Sequence, residues 1–238
     1  MTTGMMYSDF VAQIALLAVV SPTDPNFLAA LPQATTYAEN RIYRDIDLLS
    51  TVLTNNTYAF TANLRTVNVP ISTFVTLQQV NVITPYGVTN PELGTRNPLL
   101  PATKEYLDNV WGNSTGAAVP VYFAMINQSQ FVVGPWPDQA YQMELVGTIR
   151  PASLSASNTS TALSLYWPDL LIMATMVYVT MYQRDFGKTA DEPQMAGSYE
   201  TQYQTLLKSA VVEEGRKKFT GAAWSSMSPA VTATPTRG

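Results

Sequence analysis

The sequence contains no cysteine and no histidine among its 238 residues. Their absence excludes disulfides, thiolate nucleophiles and imidazole bases, and it removes the usual ligands of zinc and copper. A catalytic site would have to use carboxylates, lysine, tyrosine or serine, or magnesium or calcium bound by oxygen atoms. The composition therefore predicts no cofactor and excludes enzymes that depend on cysteine or histidine chemistry.

Charge is also scarce. Charged residues make up 13% of the chain, about half of the ~25% that is typical, while apolar residues are ordinary at 46%. Between Asp47 and Glu92 the only charged residue is Arg65, and between Asp108 and Asp138 there is none. Because interface cores are depleted in charge, these neutral stretches predict surface that is covered by partners or by copies of the chain. A solvated, threonine-rich β surface explains any single strand equally well.

The net charge of −4 argues against nucleic-acid binding as the main source of affinity, because such binding needs a basic face. The only basic cluster, 216–218, follows two glutamates and is typical of the charged end of a helix. The N-terminus lacks the basic residues of a signal peptide. The longest uncharged helical run, Leu170 to Gln183, is shorter than the ~20 residues that span a bilayer. We expect a soluble protein made in a cytoplasm.

Apolar residues recur at helical spacing at both ends of the chain. Asp24 and Pro25 predict an N-cap followed by one or two turns, and Pro32 is predicted to restart a longer helix. The run 170–182 is apolar nearly all round, as expected of a helix surrounded by others. The predicted helices cover residues 7–20, 24–49, 170–182 and 193–218.

The middle of the chain has the alternation of β-strands, from Tyr58 to Arg150. Residues 119–126 and 130–133 predict a hairpin, 85–101 a polar loop and 103–111 a short helix. The predicted fold is therefore α+β: a bundle of about four main helices from both chain ends, an inserted antiparallel β subdomain, and an extended C-terminal tail. The predicted divisions are residues 1–54, 55–152, 153–218 and 219–238.

The predicted helix from Pro32 to about Leu49 carries an unusual density of charge off its apolar stripe, at Glu39, Arg41, Arg44 and Asp45. Arg41 can pair with Asp45, and Arg44 with Asp47, but each exposed pair contributes only a few tenths of a kcal/mol. Pairing within the helix is thus a weak reason for these residues. A solvated charged face is the ordinary interpretation.

The last twenty residues, 219–238, are rich in Ser, Thr, Ala, Pro and Gly. Such a segment buries too little apolar surface to offset the entropy lost on ordering. Aromatic and methionine side chains supply most of the docking energy in segments of this kind, so Phe219, Trp224 and Met227 are the predicted anchors on a partner.

Two pairs of acids admit another interpretation. Asp138, which follows Pro135-Trp136-Pro137, and Glu144 could be a carboxylate pair beside an aromatic platform, as in a glycoside hydrolase. Pro-Asp on a hairpin turn is more often plain turn chemistry. Asp191 and Glu192 could bind a cation, but they are better explained as acids in the first turn of a helix.

Four segments together resemble the head-to-tail adaptor proteins of short-tailed phages, the portal-binding connectors or tail accessory factors. The most specific piece is A-E-x-R-I-Y-R-D at Ala38 to Asp45. The segment 84–118 carries none of these motifs. The four segments are TDPNFLAALPQATTYAENRIYRDIDLL (Thr23–Leu49), GPWPDQAYQMEL (Gly134–Leu145), YWPDLLIMATMVYVTMYQRDFG (Tyr166–Gly187) and EEGRKKF (Glu213–Phe219).

The resemblance implies a homo-oligomeric ring of about twelve copies at the head–tail junction of a virion, beneath the phage portal protein. It implies further contacts with a tail nozzle or other tail proteins, and a channel through which DNA passes without specific binding. By the same resemblance, neighbouring subunits or the portal contact Glu39, Arg41, Arg44 and Asp45. The portal-docking residues it implies are Arg216, Lys217, Lys218, Phe219, Trp224 and Met227.

Three hypotheses follow. The first is a non-enzymatic structural connector of a phage virion, made in the cytoplasm of the bacterial host. The second is a carbohydrate-binding or cell-wall-cleaving tail component that uses carboxylates of the β subdomain. The third is a soluble binding module that ends in a linear motif. Ring symmetry distinguishes the first, affinity for sugar the second, and a monomer in solution favours the third.

Overall fold

The computed structural model describes residues 4–70, 73–88, 90–185 and 194–222, without the side chains of 182–185, 194–196 and 219–222. The chain divides into two compact units. A helical unit is formed by both chain ends, Met1–Ser50 and Pro151–Gly238, and a β unit by the segment between them, Thr51–Arg150. The predicted α+β class, with helices from both ends and an inserted β-rich segment, is confirmed.

The helical unit contains five helices among the described residues. Helix α2 begins where the sequence predicts it, because Asp24 Oδ1 accepts the amides of Asn26 at 2.8 Å and Phe27 at 3.0 Å. In chain order the helices of the protein are α1 (Tyr7–Leu17), α2 (Pro25–Asp45), α3 (Lys104–Val110), α4 (Ala162–Tyr166), α5 (Pro168–Asp185) and α6 (Gln194–Ala222), of which α3 belongs to the β unit.

The predicted restart at Pro32 was wrong, since α2 runs unbroken through this residue. A proline there removes the bond to the carbonyl of Leu28, but Leu28 is exposed, so that water can reach this carbonyl. The helix also ends earlier than predicted, at Asp45, because Ile46 adopts an extended conformation with φ −128° and ψ 130°.

Helix α5 is the centre of the helical unit, where α1, α2, α4 and α6 pack against it. Most of its apolar side chains are buried, as its composition predicts, although Met181 near its end is exposed. Phe10, Leu31 and Tyr203 complete this core from α1, α2 and α6. The α5 residues in the core are Leu170, Leu171, Ile172, Ala174, Met176 and Val179.

The β unit contains two four-stranded sheets, ordered β1-β8-β3-β4 (sheet 1) and β2-β7-β6-β5 (sheet 2). One apolar core combines residues of both sheets, among them Val80 and Leu145 of sheet 1 and Phe131 and Val133 of sheet 2. The strands are β1 (Val52–Ala59), β2 (Thr66–Asn68), β3 (Thr76–Thr84), β4 (Thr95–Pro98), β5 (Leu100–Pro101), β6 (Tyr122–Asn127), β7 (Gln130–Gly134) and β8 (Gln142–Thr148).

The predicted hairpin is formed by β6 and β7. In the turn between these strands, Asn127 Oδ1 accepts the Ser129 amide at 2.9 Å. Two details of the prediction were wrong. The predicted polar loop 85–101 contains β4 and β5, which are too short to show alternation. Strand β5 also pairs with β6 in parallel, so sheet 2 is mixed rather than antiparallel.

Candidate functional site

Four of the ten residues predicted to contact partners, Arg41, Asp45, Lys217 and Lys218, lie in a row of polar side chains along α2 and α6. We call this row the α2–α6 seam. It consists of Arg41, Asp45, Asp47, Glu200, Tyr203, Glu214, Lys217 and Lys218. The two helices both pack on α5, and long polar side chains bridge them. The seam places members of the two predicted contact sets, from α2 and from the end of α6, along the same pair of helices.

Arg41 contacts three other members of the seam. Its guanidinium donates to Glu200 Oε2 at 2.7 Å and to Oε1 at 2.6 Å, and it lies 4.3 Å above the ring of Tyr203. The predicted pair with Asp45 forms at 3.7 Å. The hydrogen bond from Arg41 lowers the pKa of Glu200. Arg41 therefore stabilises the helical unit itself, and a partner would meet it already paired.

Tyr203 continues the seam from inside the core. The residue is fully buried, and its hydroxyl donates to Asp45 Oδ2 at 2.7 Å. Burial raises the pKa of the Tyr203 phenol well above its ordinary value, and the Asp45 carboxylate raises it further. The phenol thus remains a neutral donor, which fixes the orientation of Asp45.

Glu39 does not belong to the exposed charged face, and its predicted position off the apolar stripe was wrong. Only 1% of the residue is exposed. Its Oε1 accepts the backbone amide of Leu154 at 3.1 Å. Burial raises the pKa of this carboxyl, and hydrogen bonds from Leu154 and Ser153 partly oppose that effect. Glu39 is buried because it holds a backbone amide of the returning chain.

Arg44, another predicted contact residue, lies on the surface. Its side chain is exposed, and Nε donates to the Asn40 carbonyl of the same helix at 3.1 Å. Its predicted partner Asp47 is instead bound by Lys218 Nζ at 2.5 Å. Arg44 therefore presents positive charge at the end of α2.

The basic cluster at the end of α6 is divided between the helical unit and the surface. Lys217 Nζ lies 3.1 Å from Glu214 Oε2 and 4.0 Å from the centre of the Trp167 ring. Lys218 is paired with Asp47. Arg216 is exposed. Next to Lys217 is a cleft of about 380 Å³ that is lined by Leu49, Ser50, Tyr166, Trp167, Glu214 and Lys217.

Residues 219–222, which were predicted to begin the extended tail, continue α6. Each residue added to an existing helix gains a backbone hydrogen bond without a new nucleation cost. The side chain of Phe219, and Trp224 and Met227 entirely, lie outside the described residues. Their docking role stays a prediction.

The carboxylates considered for hydrolysis have other partners. Glu144 on β8 accepts Asn81 Nδ2 at 2.9 Å and Arg96 Nε at 2.8 Å. Burial raises its pKa, but the hydrogen bonds from Arg96 and Asn81 outweigh that effect, and its pKa is lowered. A glycosidase acid needs the opposite shift. Asp138 hydrogen-bonds the hydroxyl of Tyr141, whose pKa is raised first by burial and then by this contact.

Asp191 and Glu192, the other acidic pair, lie outside the described residues. Within the described ranges, no group of three or more acidic residues is arranged to hold a metal ion. In that same part of the chain, no helix has both the length and the apolar character to cross a membrane.

Sequence reasoning missed Glu200, Tyr203 and Glu214 as parts of the site. The spacing of α6 did place Tyr203 inward, and an inward tyrosine usually needs a buried hydrogen-bond partner, which was the available signal. Glu214 had no such signal, since Glu213 and Glu214 look alike in the sequence. Only Glu214 is buried, with 3% exposure.

A comparison with curated proteins gave no match. A comparison with family models matched residues 5–231, which cover the helical unit's elements, the seam and the β unit. The matched family is described as SU10 adaptor protein, in agreement with the phage-adaptor resemblance of the four sequence segments. On this match over nearly the whole chain, the protein belongs to the SU10 adaptor protein family.

Proposed function

We propose that this protein is a non-enzymatic, ring-forming connector that joins the portal of a phage head to tail proteins and leaves an axial channel for DNA. The observation that carries the proposal is the family match over residues 5–231. Adaptor function implies a structural role in the virion. The ring, its copy number of about twelve, the portal and the tail nozzle are the finer parts of the proposal.

The seam suggests how the helical unit serves this role. A subunit in a ring needs a body that does not deform when neighbours pack on it. Arg41, Asp45 and Lys218 act by holding α2 and α6 to each other. Arg44 and Arg216, which are exposed, are proposed to make the direct contacts with a neighbouring subunit or the portal.

The charge of the chain supports the proposed passage of DNA. The net charge is −4, so the average surface repels phosphate. A neutral or acidic channel lets DNA slide, whereas a basic lining would retain it by counterion release. We propose that DNA passes without specific contacts.

The direct test is to mix the purified chain with its portal protein and to image the particles. The proposal expects portal rings that carry an additional ring of density with an open axial channel. The chain alone is expected either as a monomer or as a ring, because assembly can depend on the portal template. Portal rings that carry no added density at any protein ratio would contradict the proposal.

A second function, carbohydrate binding, is favoured by one observation. Three aromatic rings cluster on the β unit. The ring centre of Tyr106 lies 6.0 Å from those of Trp111 and Tyr122, and the rings of Trp111 and Tyr122 are stacked with their centres 5.7 Å apart. Aromatic faces are common sugar platforms, but these two stacked faces cover each other. Retention on immobilised host polysaccharide, lost in Tyr106→Ala, would support this function instead.

A further inference from the structure

Two buried glutamates hold the chain next to the β insertion. The chain leaves the helical unit after Ser50 and returns at Pro151. We call these two points the exit crossing and the return crossing. Just before the exit, the Leu49 amide donates to Glu214 Oε1 at 2.6 Å. Just after the return, the Leu154 amide donates to Glu39 Oε1 at 3.1 Å. Each crossing thus has one backbone amide bound by a carboxylate.

Both carboxylates are buried to an extent that ordinary helix packing does not require. Glu39 is 1% exposed and Glu214 is 3% exposed. An ionised carboxylate loses much hydration free energy on burial unless it is hydrogen-bonded, so an apolar side chain would fill either position at lower cost. Each carboxylate offsets part of this cost by accepting a backbone amide at Oε1, while its Oε2 is buried without a hydrogen bond from the described residues.

The connectivity of the two bonds is reciprocal. Glu39 precedes the insertion and holds the segment that follows it, whereas Glu214 follows the insertion and holds the segment that precedes it. Each bond therefore closes a loop of chain that contains the complete β unit. Each bond holds one of the two crossings, and the entropy cost of closing so long a loop grows only slowly with its length.

Neighbouring contacts strengthen both crossings. At the exit, Leu48 is fully buried and Asp47 is bound by Lys218. At the return, Leu154 is itself 2% exposed, and the Ser153 hydroxyl lies 3.3 Å from the hydroxyl of Thr36 on α2. A buried leucine and a polar contact thus accompany each amide.

We propose that Glu39 and Glu214 are paired clasps that fix the two points at which the chain leaves and re-enters the helical unit. They are positioning residues. Their use in the virion rests on the proposed function, because a connector that works by geometry needs its inserted unit attached at fixed points. The clasps themselves are a property of the isolated chain.

The test is hydrogen exchange of the isolated protein, read at the peptides that contain Leu49 and Leu154. Replacing either glutamate with leucine removes the acceptor. Glu214→Leu is expected to raise the exchange rate at Leu49 by about tenfold or more and to leave the rate at Leu154 unchanged. The reason is that a hydrogen bond to a charged group stabilises the closed state by about that factor in the opening equilibrium. Glu39→Leu is expected to produce the reverse pattern. Peptides from α5 should stay as protected as in the parent protein.

Conservative variants keep the test decisive where a leucine variant does not fold. Glutamine retains Oε1 as an acceptor, so Glu39→Gln and Glu214→Gln are expected to keep the parent protection. Aspartate retains the charge but is one methylene shorter, so each aspartate variant is expected to lose the protection of the amide at its own crossing. Glu200→Leu is the matched control, because it removes a hydrogen-bonded carboxylate that touches neither crossing.

Two outcomes would contradict the proposed role of Glu39 and Glu214. One is an exchange rate that is unchanged in the leucine and aspartate variants, and the other is a rate that rises equally at both crossings and in α5. Those outcomes have no bearing on portal binding, because the measurement uses the isolated chain. Conversely, a failure to decorate portal rings would overturn the proposed function and leave the exchange pattern as it was. The two proposals can therefore fail separately.

Discussion

Replacing either of two arginines one turn apart on α2 by alanine should affect a different property of the protein. Arg41 donates two hydrogen bonds to Glu200 and lies over the Tyr203 ring, whereas Arg44 is exposed and donates to its own helix. Arg41→Ala should therefore reduce the stability of the folded chain. Arg44→Ala should leave stability nearly unchanged and should weaken ring assembly on the portal.

The magnitude follows from the exposure of the partners. The side chains of Arg41 and Glu200 are 20% and 37% exposed, so solvent screens the pair and a buried-pair value would be too large. A bidentate pair under partial screening, together with the contact to the Tyr203 ring, should contribute about 1–2 kcal/mol to the free energy of unfolding. A surface substitution such as Arg44→Ala should stay within about 0.5 kcal/mol.

The assay is urea unfolding of both variants, followed by far-ultraviolet circular dichroism so that the helical unit dominates the signal. An unchanged m-value shows that a shift of the midpoint reports stability. Lysine is a matched control, because Arg41→Lys keeps the charge but not the two parallel bonds, and should recover only part of the loss. Portal decoration by each variant is then scored by particle imaging.

Equal losses of stability in Arg41→Ala and Arg44→Ala would refute the reasoning, because it assigns only Arg41 to the seam. The assignment of Arg44 would also be refuted if Arg44→Ala decorated portal rings as fully as the parent protein.

Three further predictions concern other parts of the molecule. Deleting residues 219–238 should abolish stable attachment to portal rings in a pull-down, and full retention would contradict the docking role. Burial raises the pKa of Glu39 above its ordinary 4.5, so the stability that its protonated form contributes is present below that pH and is lost as pH rises through the folded pKa. As the pH rises through this range, the free energy of unfolding of the parent protein should fall relative to that of Glu39→Gln. A difference between their urea midpoints that stays constant across the pH series would exclude the effect. Leu171→Ala should cost about 2–5 kcal/mol, because Leu171 is fully buried in the central helix, and a loss below 1 kcal/mol would show that α5 is not the centre of the core.

Helices were predictable because their signals are local. The 3.6-residue spacing of apolar side chains, the N-cap at Asp24 and the apolar run of α5 all lie within short windows of sequence. The alternation of Tyr141, Met143 and Leu145 in the sequence likewise places them on one face of a strand, and all three lie in the core of the β unit. Strands β4 and β5 were not predictable, since they have only four and two residues and exist only through pairing with neighbours.

The site was less predictable than the fold. Arg41 and Asp45 pair within one helix, and the sequence predicts this. The partners Glu200 and Glu214, however, lie more than 150 residues away along the chain. No periodicity links residues at that distance. The sequence therefore identified the charged helix, but it could not tell a paired arginine from an exposed one.

The sequence by itself determined the α+β class, the helices of both chain ends and the likeness to phage adaptors, because each depends on local periodicity or on short motifs. Only the tertiary structure decided which charges are exposed and which are buried. Glu39 and Arg44 look equivalent in the sequence, yet one accepts the Leu154 amide inside the helical unit and the other faces solvent. The physical reason is that a charge acquires its role from the groups that the fold places beside it, and these come from remote parts of the chain.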